Sequence, residues 1–416
     1  MLGQNTQGGS ATALRIAIYL ATFLVLTVCA APRVLRAAAI NRWSLYYASE
    51  VVEPESTQDV LAPPACHARA VFWQALAALR AGDDHRAGEL LAPLASAGNR
   101  YALQLMAQTL ELLGDFPGSV QAWTQAKDAP SLWKAAERAI EGSALDNAFL
   151  ALSAARQLEP ENGTTRLADF LRHQRRDYAT AELVLEQALA SFPSSHYRLE
   201  WLHDLADVLR AQQQWVQAAT TYQRILTINR NDVEAHVDLG FVDYEQGDVE
   251  AALAEFHKAI ALNPGRGSGY LAIAQVLARE KRYADANPWF ELALERDPSP
   301  SWYLTYADAA RKAGDLPRAL DVYAKAIVRF PAYAPAYFEM AWVYRLENQP
   351  EQAIQSIEQA LRLMAAPDGA YYVRAGQIYE FAGNPTTAIA AYRQALALDP
   401  NSKAAQEALA RLSGAP

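Results

Sequence analysis

Cysteine is nearly absent from this 416-residue chain, which has only Cys29 and Cys66. Cys29 lies inside an apolar run, so no structural disulfide is expected, and cysteine usage says nothing about the redox compartment. Metal motifs are missing as well. The seven histidines (His67, His85, His173, His196, His203, His236, His257) are scattered, with neither Cys-x-x-Cys nor His-Glu-x-x-His among them. Zinc needs about four convergent ligands, so no metal or other cofactor is expected. Basic residues are in deficit, with 37 Lys and Arg against 46 Asp and Glu and a formal net charge of −9. A phosphate-binding surface needs a clustered excess of the other sign, so nucleic acid is not expected as a partner. Catalytic signatures are lacking too. Gly265-Arg266-Gly267-Ser268-Gly269 has the look of a phosphate loop, but it follows a helix and Pro264, whereas the dinucleotide fingerprint follows a strand.

One long apolar run occurs, at residues 12–31, with Arg15 its only charge, and it reaches the roughly 20 residues that a membrane helix needs. A retained single-pass anchor, a cleaved signal peptide ending at Val28-Cys29-Ala30 and a buried helix compete for it. Arg33, Arg36 and Arg42 hinder export as a cleavable signal, so the anchor is the expectation. The same arginines favour a cytoplasmic C-terminal part. The nearly uncharged tail, residues 1–11, and the likeness to signal-anchored extracytoplasmic proteins of the bacterial inner membrane favour the opposite side, and both orientations stay open. Residues 32–66 read as a juxtamembrane linker. Trp43, Tyr46 and Tyr47 suit either a membrane interface or packing on the first repeat, and Pro54, Pro63 and Pro64 suit an extended connector.

The rest of the chain is periodic. Ala148, Ala181, Ala218, Ala252, Ala286, Ala319, Ala353 and Ala388 recur at steps close to 34 residues. Four residues after each comes a bulky side chain (Leu152, Leu185, Tyr222, Phe256, Phe290, Tyr323, Ile357, Tyr392), an offset that keeps both on one helix face. Twelve residues after six of them a proline (Pro160, Pro193, Pro264, Pro298, Pro331, Pro400) ends the helix. A second series of small residues, Ala136, Ala206, Gly240, Ala274, Ala307, Ala341 and Gly376, marks a preceding helix that can approach closely. Turn signals such as Gly247-Asp248, Gly314-Asp315 and Gly383-Asn384 lie between the two. Pro288 falls inside the second helix of its unit and predicts a late start or a kink there.

This pattern resembles the tetratricopeptide repeat (TPR), a 34-residue helix–turn–helix unit, and residues 233–266 match it best through Leu239, Gly240, Gly247, Asp248, Ala252, Phe256, Ala259 and Pro264. The resemblance implies an all-α fold, a right-handed α-solenoid of TPR hairpins, here with an N-terminal transmembrane helix. Residues 67–400 would hold about ten units, the first two or three degenerate, and 401–416 a capping helix that covers the last apolar face. Inward-facing residues of each first helix would form a partner-binding groove. By register these include Glu200, His203, Asp204, Asp207, Arg210, Glu234, Asp238, Phe241, Tyr244, Gln275, Arg279, Asp308, Arg311, Phe338, Glu339, Trp342, Arg345, Arg374 and Gln377. Two neighbourhoods stand out, an acidic one around Asp204, Asp207 and Asp238 and an aromatic one with arginines around Phe338, Trp342 and Arg345. A carboxylate clamp like that of the chaperone-binding TPR domains is not expected, because acidic residues occupy the middle positions.

The chain therefore reads as a non-catalytic, membrane-anchored scaffold or adaptor holding a protein or peptide partner on its concave face. The alternative is a TPR component of a cell-envelope polysaccharide or peptidoglycan assembly or export machine. The outline also resembles membrane-anchored TPR regulators of lipopolysaccharide synthesis, but the paired-cysteine metal motifs of those proteins are absent here.

Overall fold

A computed structural model describes residues 63–412 and Gly414, with side chains from residue 70 onward. The tail, the proposed anchor 12–31 and the linker up to residue 62 lie outside the described residues. Among the described residues every regular element is helical, and no helix is long and apolar enough to cross a membrane.

The chain packs as two units that part inside one helix, between Val208 and Leu209. The first unit holds α1 (Pro63–Ala81), α2 (Asp84–Ser96), α3 (Arg100–Leu112), α4 (Phe116–Gln125), α5 (Ala129–Glu141), α6 (Leu145–Leu158), α7 (Pro160–Phe170), α8 (Tyr178–Ser191) and most of α9 (Arg198–Ala211). α1 begins at the Pro63-Pro64 pair, since the first helical positions have no use for the N–H that proline lacks. α7 runs on into a wide π turn, Leu171–Arg175. In the second unit α10 (Trp215–Ile228) is followed by five hairpins. They are α11 (Val233–Glu245) with α12 (Val249–Leu262), α13 (Ser268–Arg279) with α14 (Tyr283–Arg296), α15 (Pro300–Lys312) with α16 (Leu316–Arg329), α17 (Ala334–Leu346) with α18 (Pro350–Leu363), and α19 (Gly369–Phe381) with α20 (Pro385–Leu398). α21 (Lys403–Leu412) closes the stack.

The sequence series fall where close packing needs them. All eight alanines of the first series are 0% exposed, and the bulky residues four positions later are buried. Gly240 shows why the opposing series is small. A Cβ there would lie 2.5 Å from the Phe256 ring and 2.9 Å from the Ala252 carbonyl oxygen. The helices stop before the prolines because the preceding residue is pushed out of the helical region, as at Asn263 (φ −141°, ψ 83°) and Asp297 (φ −143°, ψ 80°).

Each hairpin turns through one left-handed residue followed by the cap of the second helix. At Gly247 φ is 88°, and the Asp248 side chain then accepts from the Ala251 N–H. Lys281 and Asn348 take the same left-handed place without being glycine. α14 starts at Tyr283, in step with its neighbours, and carries Pro288 inside it, so the expected late start does not occur. Pro288 is exposed, and its nitrogen cannot donate the helix bond to the Ala284 carbonyl.

Two of the glycines of 265–269 have a packing reason. Gly267 lies against the Trp302 ring and the Ala293 carbonyl, and Gly269 against Ile260. The segment is a tight joint between α12 and α13.

Candidate partner-binding face

In the second unit the first helices of successive hairpins touch one another, α11 with α13, α13 with α15, α15 with α17 and α17 with α19. Their outward residues therefore share a continuous face. Along it, most of the charged residues expected to meet a partner are paired with the neighbouring repeat.

The rungs recur at about one repeat length. Asp238 accepts from Arg210 at 2.6 Å, Glu245 from Arg279 at 2.6 Å, and Glu339 from Arg374 at 2.9 Å. Tyr244 donates to Glu280 at 2.9 Å. The first unit repeats the device, with Arg138 on Glu111 at 2.7 Å and Arg172 shared between Asp204 and Asp207, the latter at 2.7 Å. Asp204 and Asp207 thus carry an internal counter-ion, Arg172, that sequence reasoning missed because it lies in the preceding repeat, on the π turn, 32 and 35 residues away. His203 is half-buried beside them on α9.

Gln275 and Asp308 come together at a cleft of 230 Å³ between α13 and α15, which Arg279, Thr305 and Lys312 also line. Burial alone would raise the Asp308 pKa, but hydrogen bonds from Lys312 and Arg311 outweigh it and hold the carboxyl below the usual range. Phe241 packs edge-on against Phe256, with ring centroids 5.1 Å apart. Gln377 is half-buried on α19.

The aromatic neighbourhood is a single cluster. Phe338 is 6% exposed and meets Tyr371 edge-on at 4.5 Å, so it forms the floor rather than the surface. Trp342, one turn on, is half-buried, with the Arg345 guanidinium 4.4 Å and the Arg374 guanidinium 5.1 Å from its ring centre. Arg374 also lies 4.4 Å over Phe338, and Arg345 lies 5.9 Å from Phe381. Such cation–ring contacts contribute about 0.5–1 kcal/mol each when exposed and more when dry. Beneath them the buried Tyr323 hydroxyl has its pKa raised, first by burial and then by Glu339 and Asp308, while Arg311 and Arg374 oppose the rise. Those four charged side chains therefore share one electrostatic neighbourhood.

Among the described residues no group of three or more His, Cys, Asp or Glu is placed to hold a metal ion.

Family models of the tetratricopeptide repeat match residues 171–235, 237–299, 304–370 and 368–412. The chain is 29% identical over 197 residues to human Protein O-mannosyl-transferase TMTC1, covering 46% of this chain and 22% of that protein. It is 22% identical over 175 residues to TPR repeat-containing protein YpiA of Bacillus subtilis, covering 41% and 40%. The chain spans no more than 40% of the length of the curated relatives it matches. Among solved structures, yeast Tom70 superposes with a TM-score of 0.44 at 15% identity, over 84% of this chain and 88% of that one. The matched repeats cover more than half of the 416 residues, and the chain belongs to the tetratricopeptide repeat family.

Proposed function

We propose that this protein is a non-catalytic scaffold that holds a protein or peptide partner on its first-helix face and is tethered by residues 12–31 as a single-pass anchor in a bacterial inner membrane. The observation that carries the partner-binding half is Trp342, a large aromatic side chain left half-buried on that face and flanked by Arg345 and Arg374. Tryptophan and arginine dominate binding hot spots because they combine large apolar area with directed hydrogen bonds. The non-catalytic reading is supported by the way the repeats use their residues. The described helices bury their apolar faces on their neighbours, and the charged positions mostly pair with each other. The tether rests on the apolar run in the sequence.

Two measurements test the two halves. Full-length protein should stay in the membrane pellet through an alkaline wash, and protease accessibility in spheroplasts then reports the side on which the repeats lie. Recovery of a mature chain starting at Ala31 would replace the tether with a cleaved signal. For the face, crosslinking in native membranes followed by mass spectrometry identifies the partner, and titration compares wild type with Trp342→Ala. Weakening of at least ~30-fold with unchanged helix content is expected, the size of loss typical for an aromatic anchor. Equal binding by the variant removes Trp342 from the site, and a crosslinked glycan in place of a protein moves the reading to envelope polysaccharide assembly.

A further inference from the structure

The ladder of paired charges on the first-helix face joins most neighbouring repeats, and at one position it leaves a cation without a counter-ion. Arg345 forms no ion pair among the described residues, and its Nε is buried with no acceptor. Its position on α17 corresponds by register to Glu380 on α19, which lies 35 residues on. That carboxylate is already engaged. Arg411 donates to its two oxygens at 2.7 and 2.8 Å, and the Tyr392 hydroxyl donates to it at 3.1 Å. The one carboxylate on the same helix, Glu339, is held by Arg374. On the preceding first helix a single carboxylate, Asp308, serves both Arg311 and Lys312. The first helices α15, α17 and α19 thus carry four cations (Arg311, Lys312, Arg345, Arg374) and three carboxylates (Asp308, Glu339, Glu380), the last of them taken by Arg411 of α21, in a protein whose net charge is −9.

The surplus is placed beside apolar surface. The Arg345 guanidinium rests on the Trp342 ring, with Phe381 on α19 also beside it. The next residue, Leu346, is 48% exposed, one of the large apolar side chains that the fold leaves uncovered. A cation held against rings is poorly hydrated on that side, which strengthens a charge-assisted hydrogen bond to an incoming anion. A small inorganic anion would satisfy Arg345 but leave Trp342 and Leu346 wet.

We infer that the Trp342–Arg345 face takes an acidic peptide segment, one carboxylate of which supplies the missing counter-ion of Arg345 while a neighbouring apolar side chain covers Trp342 and Leu346. This rests on the partner-binding reading above and names the chemistry of the partner.

The test uses the full-length chain and two fluorescein-labelled octapeptides, one alternating glutamate with leucine and the other alternating glutamine with leucine. Fluorescence anisotropy should show the glutamate peptide binding at least ~10-fold more tightly, with the difference shrinking as salt rises. Arg345→Gln should abolish the preference, whereas Arg296→Gln, which alters an arginine seated on Tyr270 in another repeat, should keep it. Equal binding of the two peptides by the wild type overturns the inference, and that comparison needs no variant to fold. A preference that survives in Arg345→Gln overturns it too. If Trp342→Ala loses its native partner while the peptides bind alike, the scaffold reading stands and the acidic class falls. If neither changes, both fall. Self-association in sedimentation that disappears in Arg345→Gln makes a second copy of the chain the occupant and also overturns the inference.

Discussion

Gly240 and Lys281 show how differently single positions hold these hairpins. At Gly240 the limit is space. Alanine there would push into the Phe256 ring and the Ala252 carbonyl oxygen, and Gly240→Ala should cost roughly 1–3 kcal/mol in urea unfolding. At Lys281 the limit is the backbone, with φ at 59° where Gly247 has 88° in the equivalent turn. A left-handed non-glycine residue is strained, while glycine costs extra chain entropy, so Lys281→Gly should gain a net of roughly 0.5–1 kcal/mol in the same assay. The alanine series was legible in the sequence because only a small side chain fits between crossing helices, which leaves a period that survives other substitutions. The burial of Phe338 was not legible. Register places it on the first-helix face, but Tyr371 of the next repeat folds over it, and that cover depends on a residue outside its own unit.

At the scale of the helix, α11 is fastened to α12 by a polar clasp. Glu255 on α12 accepts from Lys258 at 2.6 Å and meets His236 Nδ1 at 2.6 Å, and His236 Nε2 lies 3.3 Å from the Arg230 carbonyl oxygen. Burial alone would raise the Glu255 pKa, but the hydrogen bonds from Lys258 and His236 outweigh it and hold the group below its ordinary 4.5. A carboxyl whose folded pKa is depressed stabilises the fold above its unfolded value, and that stability is lost as pH falls through the folded value. The unfolding temperature should therefore drop on acidification below pH 4.5, and Glu255→Gln should show a shallower drop, read by circular dichroism melts from pH 7 to 3. Helix ends were legible here where proline or a Gly-Asp pair marks them. They were obscure at Arg176, where the π turn brings the chain round through a left-handed arginine and carries no signature residue.

At the scale of the molecule, each hairpin buries its apolar face on the next, and the last face is covered by α21. Ala405 and Ala408 of α21 are buried in the cluster that includes Tyr392 and Ile378. Ending the chain after Pro400 should expose that face, lower the unfolding temperature and promote association in sedimentation, with hydrogen exchange rising in α19 and α20 and unchanged in α3 to α5. Uniform exchange across the chain would show instead that it unfolds as one block. The fold class was legible from periodicity because a stack repeats its own chemistry. The pairing of groove charges was not, since a rung joins residues 27 to 36 positions apart and each unit shows only one half of it. Those rungs bear on how such a gene can change. Helical repeats are commonly thought of as interchangeable modules, yet excising the 34 residues of α17 and α18 would bring Arg374 opposite Thr305 in place of Glu339 and strand a half-buried charge. The charge pattern therefore acts as an address for each repeat, and it penalises gain or loss by slippage even where the helices themselves would stack.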